Sequence, residues 1–326
     1  MAAHVGFVTG VVGDMLDALL HQPFAGGRRA LLEALPDSLL QLNARWASNR
    51  SPRYEEAPVR LAYSYRHMAC SAWAVRTMLE DRDVDGAFRA LVERRGGEPL
   101  RLHSVGSGPG TEALAVAFHL LANNHEPERP WLDVLFEDRE NVWAEELRTM
   151  AVCLRDWLGR YGVPEDALTF RKAARDLLEE PAGVAAEDRD VCVMNLVLSE
   201  LEHLDLVPEH LRDVRERLSE GGLLLMMDLL RDRTPLGGDL FTQVAPWLEA
   251  LGFQVRVKSG VLREYGIPPA GAQFDGFGAV GRFLREAGEG EGSVNKLLPR
   301  RRFQQRSWYP GRRGGYETRF LMAVKR

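Results

Sequence analysis

Up to about residue 95, apolar side chains recur at helical spacing; from residue 100 onward, short apolar runs alternate with longer periodic ones. In the first part Met15, Leu16, Leu19 and Leu20 form one stripe. Leu31, Leu32, Leu35, Leu39 and Leu40 form a second, and Met68, Ala72, Val75 and Leu79 a third. Residues three and four apart share a helix face, so these stretches predict amphipathic helices packed by one side. Pro36 and the turn Asn49-Arg50-Ser51-Pro52 predict breaks between them. In the second part, strand-like runs start at Leu100, Trp131, Leu168, Asp190, Leu223, Phe253 and Arg319. Helical stretches such as Asn141 to Trp157 and Leu240 to Leu251 separate them, and a further helix is expected to stop at Glu220-Gly221-Gly222. This alternation predicts an α/β fold, a parallel sheet with right-handed crossovers over 96–326, preceded by a helical region or lid over 1–95.

The first strand runs into Gly106-Ser107-Gly108-Pro109-Gly110 and then directly into a helix-forming stretch. Alternating glycines at a strand-to-helix turn let backbone approach a ligand where a Cβ would collide, and amides at the helix start favour an anionic or polar group. The second strand closes on Glu137-Asp138. A carboxylate at that tip sits beside the first glycine turn in a doubly wound sheet, where ribose hydroxyls can donate to it. Asp138 is the expected residue and Glu137 its rival, since a one-residue shift of the strand end exchanges them. Trp143, on the next helix, is near enough to cover an adenine.

VGSGPGTEAL and FEDRENVW together resemble the cofactor loop and second-strand acidic motif of class I S-adenosylmethionine-dependent methyltransferases. A dinucleotide fingerprint fits less well, because it would want a glycine where Thr111 stands. The resemblance implies a doubly wound, seven-stranded, mostly parallel sheet whose last strand inserts antiparallel between the fifth and sixth. It implies S-adenosylmethionine as cofactor, held by Gly106, Ser107, Gly108, Gly110, Thr111, Asp138 and Arg139. Asp176, after the third strand, is either an adenine contact or a helix N-cap. One position departs from the pattern: the acid such enzymes usually place two residues before the first glycine is Ser104 here. The contact to the methionine amino group is then weaker or supplied from elsewhere.

The chain's 326 residues, 45% of them hydrophobic, suffice for one large core or one core with a small satellite. A net charge of −5 gives no global pull toward nucleic acid. Cys70, Cys153 and Cys192 are widely spaced and form no CxxC pair, which reads as free thiols in a reducing cytoplasm. The apolar run Val5 to Leu20 carries Asp14 and Asp17 and lacks a basic leader, so an amphipathic helix rather than a signal peptide is expected there, and no membrane span later. The eight histidines are scattered without the spacing of a metal site.

The fourth strand ends in a segment containing Asn195, Ser199, Glu200 and His203, which must open at the crevice where ligands bind in such sheets. Methyl transfer needs reactants held close and aligned. A hydroxyl or protonated amine acceptor also needs a general base, for which Glu200 and His203 are candidates, with structural roles as the alternative. Upstream, Arg60 could clamp the methionine carboxylate while Tyr63 or Tyr65 covers the mouth, or all three could belong to a helix packed in the core. Residues 259–316 form a long insertion with a basic run from Arg300 to Arg313 interleaved with Phe303, Trp308 and Tyr309. It reads either as a solvated loop anchored by aromatics or as a surface for RNA or a protein partner. The chain lacks the Asp/Asn-Pro-Pro-Tyr/Phe motif after the fourth strand and any Pro-Cys nucleophile. Two expectations follow: a methyltransferase acting on a small-molecule acceptor, or a binding and assembly factor of the same fold that uses the basic loop.

Overall fold

A computed structural model describes residues 6–22, 27–47, 52–123, 131–139, 142–177, 179, 188–198, 205–229, 240–258 and 318–326. The sheet is built from β1 (Leu100–Val105), β2 (Leu132–Asp138), β3 (Leu168–Ala174), β4 (Arg189–Asn195), β5 (Leu218–Leu229), β6 (Phe253–Lys258) and β7 (Thr318–Lys325). Its order is β3-β2-β1-β4-β5-β7-β6. All neighbours pair parallel except β7, which runs antiparallel to both β5 and β6. The chain is thus an α/β protein with the expected seven-stranded mixed sheet. β4 is buried at every position, as a central strand covered on both faces must be. Order reverses between β1 and β4, so the carboxyl ends of those two strands flank the crevice where a ligand is expected.

Before the sheet come α1 (Phe7–Leu20), α2 (Gly27–Ala47), α3 (Ala57–Tyr63), a π-helical turn (Ser64–Met68), α4 (Ala69–Leu79) and α5 (Arg82–Arg95). α6 (Thr111–Ala122) follows β1, α7 (Ala144–Gly159) follows β2, α8 (Val207–Arg217) precedes β5, and α9 (Leu240–Ala250) precedes β6. The N-terminal helices share one core with α6, α7 and one face of the sheet: Phe7, Met15, Leu35 and Met68 belong with Leu114, Phe118 and Leu154 and with Leu102, Val193 and Leu225. Phe7 stacks on Phe118 at 5.5 Å and meets the edge of Trp157 at 6.1 Å. Gly10 lets α1 lie against α7, since a Cβ there would stand 2.1 Å from Trp157. The opposite face of the sheet packs Cys192, Met194 and Leu224 against α8 and α9 through Leu211, Val214, Phe241 and Val244. No described helix is long and apolar enough to cross a membrane.

Two expected boundaries are corrected. α2 runs through Pro36 without a break. A proline removes one amide donor, and here Leu31, Leu35, Leu39 and Leu42 keep one buried face continuous on both sides of it. The glycines at 221 and 222 do not stop a helix: α8 already ends at Arg217, and both lie within β5. Pairing shifts from Arg189 opposite Leu218 to Val191 opposite Leu223, and Gly221 takes φ +70° inside that bulge. A left-handed glycine serves a helix end and a strand bulge equally, so the residue type alone does not separate them. β3 also extends two residues past the expected Lys172, to Ala174. Asn49 to Ser51, the insertion at 259–316 and its run Arg300 to Arg313 lie outside the described residues.

Candidate functional site

A cleft opens at the carboxyl ends of β1, β2 and β4. It is lined from the sheet side by Gly106, Gly108, Asp138, Arg139, Asp176, Asn195, Leu196 and Val197, and from the helical side by Tyr54, Glu55, Tyr63 and Trp143. The three glycines of the turn have three different jobs. A Cβ on Gly106 would stand 2.4 Å from Val197, so this glycine lets the end of β4 fold against β1. A Cβ on Gly110, at φ +89°, would stand 2.3 Å from Met150, so this glycine lets α6 and α7 approach. Only above Gly108, at φ +47°, is there room: the nearest atom is Trp143 Cε2 at 4.0 Å. The bare backbone there forms one wall of the cleft.

The loop amides are already committed. Gly106 N–H and Ser107 N–H donate to the Glu137 carbonyl at 2.8 and 3.1 Å, and Gly110 N–H to the Ser107 carbonyl at 2.8 Å. Gly108 N–H donates to Asp138 Oδ2 at 2.6 Å, while Arg139 N–H donates to Oδ1 at 2.7 Å. The anion at this turn is therefore the protein's own carboxylate. Burial pushes Asp138 above the ordinary carboxylate value, opposed by those two amides and by Lys172 and Arg139.

Strand alternation separates the two rival acids, because successive side chains point to opposite faces. Asp138 faces the cleft; Glu137 points to the other face, where it is 2% exposed. There His103 Nε2 donates to it at 2.8 Å, as do Arg175 and Arg217 at 2.8 Å each. Burial works against the Glu137 charge, but His103 and Arg175 outweigh it and hold the carboxyl below its usual range. Arg175 also meets Asp213 at 2.7 Å and His210 at 3.0 Å, fixing the chain after β3 so that the next residue, Asp176, reaches the cleft. Arg139 bridges the mouth, 3.4 Å from Asp176 and 3.7 Å from Glu55.

β4 ends at Asn195, and Leu196 turns the chain at φ +59°, a conformation non-glycine residues seldom adopt and which clusters at functional sites. Its amide is held by the Met227 carbonyl at 2.8 Å. Asn195 Oδ1 is buried and has no hydrogen-bond partner among the described residues.

Of the residues expected in one pocket, the structure brings together Gly106, Gly108, Asp138, Arg139, Asp176 and Asn195. Ser107 and Thr111 are buried beneath the loop, and Gly110 faces α7. Arg60 is not part of the lining. Its Nε donates to Glu146 at 2.8 Å and its Nη1 to the carbonyls of Tyr54 and Glu55 at 2.8 and 3.0 Å, so it holds the helical wall from behind. Tyr65 is 8% exposed within the core, while Tyr63 is the tyrosine at the cleft. Ser199, Glu200 and His203 lie outside the described residues.

Several solved structures resembling this chain are methyltransferases, two of those below described as S-adenosylmethionine-dependent. The CurJ carbon methyltransferase gives a TM-score of 0.43 at 16% identity, over 91% of this chain and 69% of that one. A methyltransferase of Methanosarcina mazei gives 0.38 at 12% identity, over 72% and 96%. A TehB-like methyltransferase of Corynebacterium glutamicum gives 0.36 at 14% identity, over 73% and 86%. No family model and no curated protein matches the chain. Strand order and direction, rather than these distant likenesses, establish the fold.

Sequence reasoning missed Tyr54, Leu196 and Val197 in the lining, and it missed Glu112. Glu112 is 2% exposed at the first turn of α6 and accepts from Ser104 Oγ at 2.9 Å and from Asn195 Nδ2 at 3.1 Å. An acid in a first helical turn looks like an ordinary dipole partner. The available signal was Ser104 itself, a neutral residue where an acid was expected. The thiols of Cys153 and Cys192 are free and buried, and burial raises both, Cys153 to about 11. The Cys70 side chain lies outside the described residues.

Proposed function

We propose that this cleft binds S-adenosylmethionine and that the protein transfers its methyl group to a small-molecule acceptor. The observation that carries the reading is one crevice with bare backbone at Gly108 and a carboxylate at Asp138 facing it, plus a buried acceptor at Asn195 that has no partner among the described residues. Those features suit the three parts of such a ligand. Each Asp138 oxygen accepts one amide and keeps a further lone pair for a ribose hydroxyl. Asn195 Oδ1 can accept from an ammonium group. Trp143, Tyr54 and Tyr63 are in mutual edge or tilted contact at 5.0 to 5.7 Å and offer an apolar wall for an adenine.

When bound, the sulfonium supplies an electrophilic methyl group. The chain's own contribution is then to hold that group and an acceptor in line and to exclude water, which is where most of the acceleration in such a transfer arises. The helical wall is tied to α7 by Arg60 and Glu146. For an acceptor that must lose a proton, Glu200 and His203, which follow β4, are the proposed bases.

Calorimetry with S-adenosylhomocysteine tests the reading. Wild type should bind it, and Asp138→Ala should weaken binding at least about tenfold, the scale of one hydrogen bond to a charged group. No uptake by wild type, or equal affinity in the variant, would overturn it.

A further inference from the structure

Ser104 meets a carboxylate supplied from the other side of the glycine loop. Ser104 on β1, Glu112 on α6 and Asn195 on β4 are exposed by 0%, 2% and 6% respectively and are joined in one chain of hydrogen bonds. An ionised carboxylate only accepts, so the amide nitrogen of Asn195 must face Glu112 and its oxygen must turn away. That oxygen has no partner among the described residues, and Asn195 borders the cleft beside Gly106 and Leu196.

We propose that Ser104, Glu112 and Asn195 form a relay that fixes Asn195 Oδ1 as the acceptor for the ligand's ammonium group, with Glu112 the positioning residue that supplies the compensating charge. This rests on reading the cleft as an adenosyl amino acid site. Ser104 consumes one carboxylate oxygen and Asn195 the other, so Glu112 acts on the ligand only through the amide. Burial pushes Glu112 up to about 7 in the absence of a cation, opposed by its own backbone amide, Ser104 and Asn195. The groups that face it are Ser104 from β1 and Asn195 from β4, both neutral, and Asp138 from the end of β2, whose charge acts in the same direction as burial. Once protonated, Glu112 can donate, and the orientation of the Asn195 amide is no longer dictated.

The test compares two ligands that share the adenosyl thioether and differ in the amino acid end: S-adenosylhomocysteine, which carries the ammonium, and 5′-methylthioadenosine, which does not. In calorimetry, Glu112→Gln should weaken the first by about 10- to 100-fold, the scale of a hydrogen bond to a charged group, and leave the second unchanged. Adding Ser104→Asp to that variant should restore the first by returning an acid to the strand. Equal losses for both ligands mean a structural role only, and no loss for either means no relay; both results overturn the inference while leaving the cleft assignment intact. Binding of neither ligand by wild type would remove that assignment and the relay with it. If the variant fails to fold, wild type alone decides. Its affinity for S-adenosylhomocysteine should fall as pH drops below 7, by up to about tenfold per pH unit for one linked proton, while that for 5′-methylthioadenosine stays level. Parallel profiles for the two ligands overturn the relay.

Discussion

At the scale of single residues, the glycine turn shows how one motif distributes its work. Gly106, Gly108 and Gly110 all adopt positive φ, yet of the two that line the cleft, Gly106 and Gly108, only Gly108 has room for a side chain. Replacing Gly110 by Ala forces a Cβ to within 2.3 Å of Met150 and 3.1 Å of Leu147, and should cost about 1–3 kcal/mol of stability from overpacking in addition to the strain of a left-handed backbone at φ +89°. Gly108→Ala meets only an ordinary contact, so the left-handed backbone alone should cost about 1–2 kcal/mol, but its methyl group enters the cleft. Urea titration and calorimetry on the pair should therefore part: Gly110→Ala is the less stable protein, and Gly108→Ala the one that loses nucleoside binding. Identical stability losses with unchanged binding would refute this division. The spacing of the motif was legible in the sequence. Which glycine meets a ligand was not, because that depends on Val197, Met150 and Trp143, which come from other segments.

At the scale of elements, α6 carries two buried ionisable groups, facing different neighbours. Glu112 at its start belongs to the cleft side of β1 and β4, whereas His119 near its end packs edge-on to Phe88 of α5 at 5.2 Å and lies 3.5 Å from Asp85. Burial pulls His119 down to about 4, against the opposing pull of Asp85. The unfolded chain takes up this proton near the ordinary 6.5 and the folded chain near 4. Stability is thus intact above pH 6.5 and declines as pH falls toward 4, by at most about 3 kcal/mol from this group. His119→Gln should lack that slope. Urea midpoints of the two proteins at pH 7 and pH 4.5 check it, and parallel declines would count against the assignment. Element types followed from periodicity, which reports the face a segment buries. Element ends did not: Pro36 and the 221–222 glycines are compatible with more than one backbone path, and packing of α2 and pairing of β5 with β4 chose between them.

At the scale of the whole molecule, the N-terminal helices are bound into the sheet's core through Phe7, Gly10 and Trp157, and they also furnish the cleft's Tyr54, Glu55 and Tyr63. Phe7 is fully buried against Phe118, Trp157 and Tyr161. Its truncation to Ala should cost about 3–5 kcal/mol, and because the core is shared, far-UV circular dichroism and tryptophan fluorescence should report one coincident unfolding transition. Two separated transitions would mean that the helical region is an independent unit. The ion cluster around Glu137 has a similar reach. Arg175 and Arg217 link β2, the chain after β3 and α8 on the face opposite the cleft, and so set where Asp176 stands.

The sequence by itself determined the class of fold, the order of strands and helices, the glycine turn and the acid at the tip of the second strand, because each is written in local periodicity or in adjacent residues. Tertiary structure alone decided that Arg60 braces a wall, that Tyr63 rather than Tyr65 meets the cleft, and that Glu112 stands beside Asn195. Those relations join residues far apart along the chain, and what brings them together is the pairing of β1 with β4 and the packing of helices over both. A hydrogen bond between such segments leaves no periodic trace in either of them.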